Sequence, residues 1–211
     1  MSDSLLKLRS VRLLLICGFL SLAVTAFAAV RLSRNAAEPA FRGTPYPDTP
    51  PAPDFALTDH EGVPRKLSDF VGTTVLLFFG FTNCPDVCPL TLASLSRVIE
   101  AEDLDQEEVR VLLVTVDPLT DTPERMKEYV AHFGPAVMGL TGTEAQIEEV
   151  QADYGVFASH VTGHDGAPSL AHTTQVFGID RKGRLRVLIH AEEGDDVVRS
   201  DLLELVRVGK E

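Results

Sequence analysis

The 211-residue sequence predicts a layered α/β domain, a central mixed sheet flanked by helices. Three observations carry that prediction. Thr73–Phe81 (TTVLLFFGF) and Val109–Val116 (VRVLLVTV) are nearly continuous β-branched and aromatic runs, as suits central strands buried on both faces. Helical patterns fall between and after them, at Thr91–Glu100, Thr122–Phe133, Thr143–Tyr154 and Asp195–Val208. Shorter strand-like runs follow at Val137–Leu140, Gln175–Ile179 and Leu185–Ile189, the last two joined by a hairpin turn at Asp180-Arg181-Lys182-Gly183. Strand and helix in this alternation define the layered domain, read as residues 54–211.

Helix starts agree with this reading. Asp121 or Thr122 is placed to cap the second helix, and Pro123 sits in its first turn, where no backbone N–H is needed. A Thr-Glu pair opens the third helix.

Ahead of the domain the composition changes twice. Residues 1–12 form a short segment read as cytoplasmic, with Lys7, Arg9 and Arg12. Leu13–Val30 (LLLICGFLSLAVTAFAAV) carries no charge and is closed by Arg31 and Arg34. As a helix it measures about 27 Å, the thickness of a bilayer's hydrocarbon core. It is read as an uncleaved transmembrane anchor. Ala26-Phe27-Ala28 resembles a signal-peptidase site, but a signal peptide's apolar region is usually shorter, about 7–15 residues. Cys17 lies inside the span as an apolar filler. Basic residues flank both ends almost equally, so charge orients the span only weakly, with the soluble domain outside. Residues 31–53 hold six prolines and read as an extended tether.

Charge excludes some partners. Five basic side chains against Asp3 in residues 1–34 leave a formal −16 on residues 35–211, out of a total of −12. A domain that acidic repels nucleic acid and anionic lipid surfaces.

The chemistry concentrates in FGFTNCPDVCPLTLASL, where Cys84 and Cys88 stand four residues apart. A buried strand running straight into CPDVCP and then a helix is the thioredoxin-like layout. A thiol there meets backbone N–H groups and the helix dipole, which favour the thiolate. If the segment is helical, residues i and i+4 share a face and both sulfurs point to one spot. The pair then closes a disulfide or holds one soft metal ion. The spacing alone does not decide between them, and the bland alternative is two buried small hydrophobes.

A third ligand would tip the balance towards metal. His60 lies in a surface turn, His132 on a helix and His190 at a strand end; His160 and His164 lie in the Gly-rich polar loop SHVTGHDGAPS. His172 stands apart, at the end of that loop and just before a late strand, which a thioredoxin-like sheet places beside the cysteine turn. Two thiolates and an imidazole suit Cu(I) and tolerate Cu(II). Structural zinc would want a fourth protein ligand.

At these motifs the chain resembles the Sco/SenC proteins. The likeness rests on FFGFTNCPDVCPLTLASL, VTVDPLTDTPERMKEYVAHF, Tyr154-Gly155-Val156 and HTTQVFGIDRKGRL, in that order, and spans about Pro53 to Ile189. The resemblance implies a membrane-anchored, thioredoxin-like copper protein that helps assemble the binuclear copper centre of cytochrome c oxidase. It implies copper ligation by Cys84, Cys88 and His172, and matches the family's acidic turn residue to Asp117. The partners implied are the oxidase subunit that carries the copper site, and another copper chaperone or a thiol reductant. The location implied is a bacterial inner membrane with the domain on the periplasmic side. One departure stands out: many members carry an aspartate directly before the histidine, where this chain has Ala171.

Two other functions compete with this one. A membrane-tethered thiol–disulfide oxidoreductase would use Cys84 to attack and Cys88 to resolve. A peroxiredoxin is suggested by APDFALTDHEG, but the Pro-x-x-x-Thr-x-x-Cys signature fails, since Phe81 and Pro85 occupy the threonine position.

Overall fold

The structure is a computed structural model that describes residues 40–162, 168–172 and 174–209. The chain divides into two units, Met1–Ala40 and Phe41–Glu211. Leu13–Val30 lies outside the described residues, among which no helix is long and apolar enough to cross a membrane.

The centre of the domain is built from the two apolar runs. β4 (Thr74–Gly80) is buried at every position and pairs in parallel with β5 (Val109–Thr115), in register from Thr74↔Val109 to Gly80↔Thr115. Neither strand alternates polar with apolar, because helices or loops cover both faces. Fully burying side chains such as Leu76, Phe78, Leu112 and Leu113 contributes about 1.5–3 kcal/mol each. β6 (Val137–Thr141) extends the parallel set beyond β5.

Antiparallel strands finish the sheet on both sides. β9 (Val176–Ile179) pairs with β4, and β10 (Leu185–Ile189) pairs with β9 across the predicted hairpin. At that turn the Asp180 carboxylate accepts from the backbone of Lys182 and Arg184, and Gly183 takes the positive φ the turn requires. β2 (Ala56–Asp59) joins β6, and β3 (Pro64–Lys66) joins β2. With β1 (Thr44–Pro45) on β10, the order is β1-β10-β9-β4-β5-β6-β2-β3. The predicted mixed sheet flanked by helices is therefore present.

Helices α1 (Val87–Ala101) and α2 (Pro123–Val130) make the crossovers β4–β5 and β5–β6. Parallel neighbours require such crossovers. α3 (Glu144–Tyr154) starts on a Thr143–Gln146 capping box and ends at Gly155 in the left-handed region. α4 (Asp195–Gly209) packs on α1 and β10. The predicted second helix is shorter than read from sequence, with Ala131–Phe133 closing it as a 3₁₀ turn.

Two regions differ from the expectation. Residues 41–53 do not stand off as a tether but lie along the domain edge. β1 adds to β10, Pro51 bridges to Arg184, and the fully buried Asp201 carboxylate on α4 accepts from the Arg42 and Gly43 amides at 2.6 and 2.9 Å. Proline there costs little, because an edge strand leaves N–H groups without a ladder partner. The predicted polar loop around His160 instead holds a second, two-stranded sheet. β7 (Ala158–Thr162) pairs antiparallel with β8 (Pro168–His172), from Ala158↔His172 to Thr162↔Pro168.

Candidate metal centre

β4 delivers the chain to the site. After Gly80 it turns through Phe81–Asp86, and α1 begins at Val87. Only Cys88 is therefore helical; Cys84 sits in the preceding turn, so the i, i+4 helical spacing does not operate. The sulfurs meet by another route. The Cys88 backbone N–H in the first helical turn donates to Cys84 Sγ at 3.5 Å, and the two thiol side chains are hydrogen-bonded to each other. Neither sulfur is in a disulfide among the described residues.

The thiols are unequal. Cys84 is half-buried and Cys88 is completely buried. The bond to Cys84 and burial push the Cys88 thiol pKa well up, opposed only by the Phe81 amide that faces its sulfur. Gly80 makes room beneath: a Cβ there would lie 2.9 Å from Cys88 Sγ, 3.1 Å from the Phe78 ring and 3.2 Å from a Leu113 methyl. Space, not backbone angle, demands this glycine.

A buried carboxylate fixes the turn. Asp121 is wholly buried and accepts from the Thr82 N–H at 3.1 Å, the Thr82 hydroxyl at 2.5 Å and the Thr115 hydroxyl at 2.6 Å. The end of β5 is thus tied to the turn that follows β4. Arg125, in the first turn of α2, donates to the Thr82 hydroxyl at 2.7 Å and to the Asn83 side chain, and lies 3.9 Å from Asp121. Sequence reasoning singles out Asp117, and the structure shows its backbone carbonyl accepting from Thr120 and Asp121 across the turn that contains Pro118. In the sequence Asp121 reads only as a candidate helix cap. Thr122 takes that role, accepting from the Arg125 N–H, which leaves Asp121 to face the core.

His172 ends β8, and β9 begins at Val176, which pairs with Phe78 near the cysteine end of β4. Four residues of chain span at most about 14 Å, which keeps the His172 backbone within that distance of Val176. Its side chain lies outside the described residues, as does that of His160 on β7; His164 lies outside them altogether. Ala171 pairs with Ser159 in the same small sheet. Among the described residues, no three His, Cys, Asp or Glu side chains are gathered to hold a metal. The remaining histidines serve the frame: His60 Nδ1 accepts from the Gly139 N–H, His190 contacts Thr44 and Glu192, and His132 lies exposed in the 3₁₀ turn.

Fold and site together define a thioredoxin-like domain with a paired-thiol turn at the start of its first crossover helix. The SCO1/SenC family description matches residues 44–207, and the chain belongs to that family. It is 37% identical over 133 residues to an SCO2-like protein of Rickettsia conorii, covering 62% of this chain and 65% of the relative. It is 38% identical over 133 residues to the mitochondrial SCO2 homolog of Danio rerio, covering 62% of this chain and 48% of that one. These matches therefore span less than two thirds of the relatives' own length. Among solved structures, copper-bound ScoI of Bradyrhizobium japonicum is similar with a TM-score of 0.66 and 35% identity, over 73% of this chain and 98% of that one. Apo Sco1 of Thermus thermophilus is similar with a TM-score of 0.68 and 39% identity, over 81% and 99%.

Two outcomes follow from the geometry. Alkylation of the reduced chain at pH 7.5, mapped by peptide mass spectrometry, will modify Cys84 well ahead of Cys88. The gap will persist at pH 9, where an ordinary thiol of pKa about 8.5 is mostly thiolate, because a raised pKa keeps Cys88 protonated; equal rates at pH 9 would contradict the asymmetry. Asp121→Ala strands the buried Thr115 hydroxyl and the two part-buried Thr82 donors and will lower stability in urea by about 3 kcal/mol.

Proposed function

We propose that the protein is a copper metallochaperone. It binds one copper ion through Cys84, Cys88 and His172 and delivers it to the binuclear copper site of cytochrome c oxidase. The observation that carries this reading is the convergence of the two thiols at the strand–helix turn, where soft donors sit side by side. The β8–β9 connection supports it by bringing the His172 backbone towards the same end of the sheet. The copper-bound structure of the similar B. japonicum protein supports copper as the cargo. Leu13–Val30 would anchor the domain in the bacterial inner membrane, facing the periplasm, where the copper-site subunit of the oxidase is the recipient. Another copper chaperone or a thiol reductant would load or reset the site.

The donors differ in how readily they let go. Cys88 is buried and sets one fixed side of the site, while Cys84 is half-buried and accessible to an acceptor ligand. Release then proceeds by exchange at Cys84 and His172 before Cys88.

The same asymmetry favours a second reading, a thiol–disulfide oxidoreductase that reduces the cysteines of the recipient site. The Cys84 thiolate attacks a partner disulfide and expels one partner thiolate. The Cys88 thiolate then attacks Cys84 of the mixed disulfide, freeing the second partner thiol and leaving a Cys84–Cys88 disulfide. The half-buried first thiol and the buried second one suit attack and resolution respectively.

Copper stoichiometry on the reduced full chain in detergent, beside Cys84→Ser, Cys88→Ser and His172→Ala, tests the reading. One copper is expected for the wild type, with tight binding lost in either serine variant. His172→Ala is expected to weaken Cu(II) more than Cu(I), since two thiolates hold Cu(I) alone. A wild type that loses copper to a modest chelator, yet reduces a partner disulfide, would leave the oxidoreductase.

A further inference from the structure

The planar fork of an arginine matches a carboxylate, and on an acidic surface that is its usual partner. Arg125 uses its fork otherwise. Its Nε donates to the Thr82 hydroxyl at 2.7 Å, and a terminal nitrogen donates to the Asn83 side-chain oxygen. Asp121 lies 3.9 Å from that Nε, beyond hydrogen-bond distance. Both acceptors are neutral, and both stand in the turn just ahead of Cys84.

The two bonds fix more than they touch. The Thr82 hydroxyl has one proton, which it donates to Asp121 at 2.5 Å. Arg125 takes a lone pair that this orientation leaves open, so each bond favours the geometry the other needs. The Thr82 N–H also donates to Asp121, at 3.1 Å. Thr82 is thereby held by backbone and side chain, and the other arm of the fork holds Asn83. The next residue is Cys84. Its N–H donates to the Phe81 carbonyl at 3.2 Å, and its sulfur accepts from the Cys88 N–H at 3.5 Å. A half-exposed arginine on α2 thus completes the set of contacts that holds the Cys84 end of the turn.

We propose that Arg125 is a positioning residue of the thiol pair: its fork across Thr82 and Asn83 keeps the Cys84 sulfur beside Cys88 and raises the effective concentration of one thiol at the other. Groups held in place meet without the entropy cost of finding each other. The same nearness serves copper ligation, and that part alone rests on the proposed function.

A glutathione redox buffer reads this effective concentration directly, on the full chain in detergent without copper. The reduced chain and oxidised glutathione exchange to give a Cys84–Cys88 disulfide and two reduced glutathiones. The two protein thiols lose two electrons and two protons, and the glutathione disulfide gains them. Acid trapping and peptide mass spectrometry separate this pair from Cys17. Arg125→Met should lower the equilibrium constant for the protein disulfide about fivefold, which is about 21 mV at 29.6 mV per tenfold. That is less than a full charge-assisted hydrogen bond, because the arginine is half-exposed. Arg125→Lys keeps the charge, loses the fork, and should shift the constant in the same direction. Arg97→Met is the control. Arg97 forks Asp195 with two bonds of 3.0 Å, well beyond Cys88 along α1, and its loss should leave the constant unchanged. An unchanged constant in folded Arg125→Met overturns the proposal, as does an equal shift in Arg97→Met. A wild-type constant in Arg125→Lys overturns it too, since charge and not position would then act on the sulfur. If the wild type holds no copper, the proposed function fails, and the glutathione equilibrium still decides the role of Arg125.

Discussion

The Asp121 carboxylate is the constraint on which the site depends. It is buried, and it meets that cost by accepting from one backbone N–H and two hydroxyls. The partners come from the turn after β4 and the end of β5, so the two central strands are locked together where the chain leaves the sheet. Arg125 braces the outer side of the same turn through Thr82 and Asn83. The cysteine turn thus has little freedom, although it is an irregular segment between a strand and a helix. That turn brings the two thiols side by side.

Within the fixed turn, packing sets the two sulfurs apart. Gly80 leaves a gap that the Cys88 sulfur fills, and the Phe81 amide faces that sulfur. Cys84 remains half-buried, over the N–H of the first helical turn. A thiol pair so arranged has one shielded and one accessible member. The property serves metal transfer and disulfide chemistry alike, so the cysteines alone do not separate the two functions.

Much of this was legible in the sequence. Leu185–Ile189 and the Asp180–Gly183 turn fall where the apolar pattern and turn chemistry put them, and β4 and β5 are within a residue of their predicted ends. Strands buried on both faces announce themselves as unbroken apolar runs. The β7–β8 sheet was missed because Ser159, His160 and Thr162, with Pro168 beyond, offer no such run and read as loop. β1 and β3 are too short for any periodicity. Asp121 was missed for a different reason. In DPLTDTP two aspartates and two threonines compete for one turn and one helix cap, and only the folded backbone shows that Thr122 caps while Asp121 turns inward.

The central claim is that copper is held by both cysteines and one histidine. X-ray absorption on the Cu(I)-loaded full chain, beside its His172→Ala variant, addresses it most directly. The account predicts two sulfur scatterers and one imidazole in the wild type, with the imidazole scattering lost and both sulfurs kept in the variant. A single sulfur in the wild type, or imidazole scattering that survives His172→Ala, would contradict it.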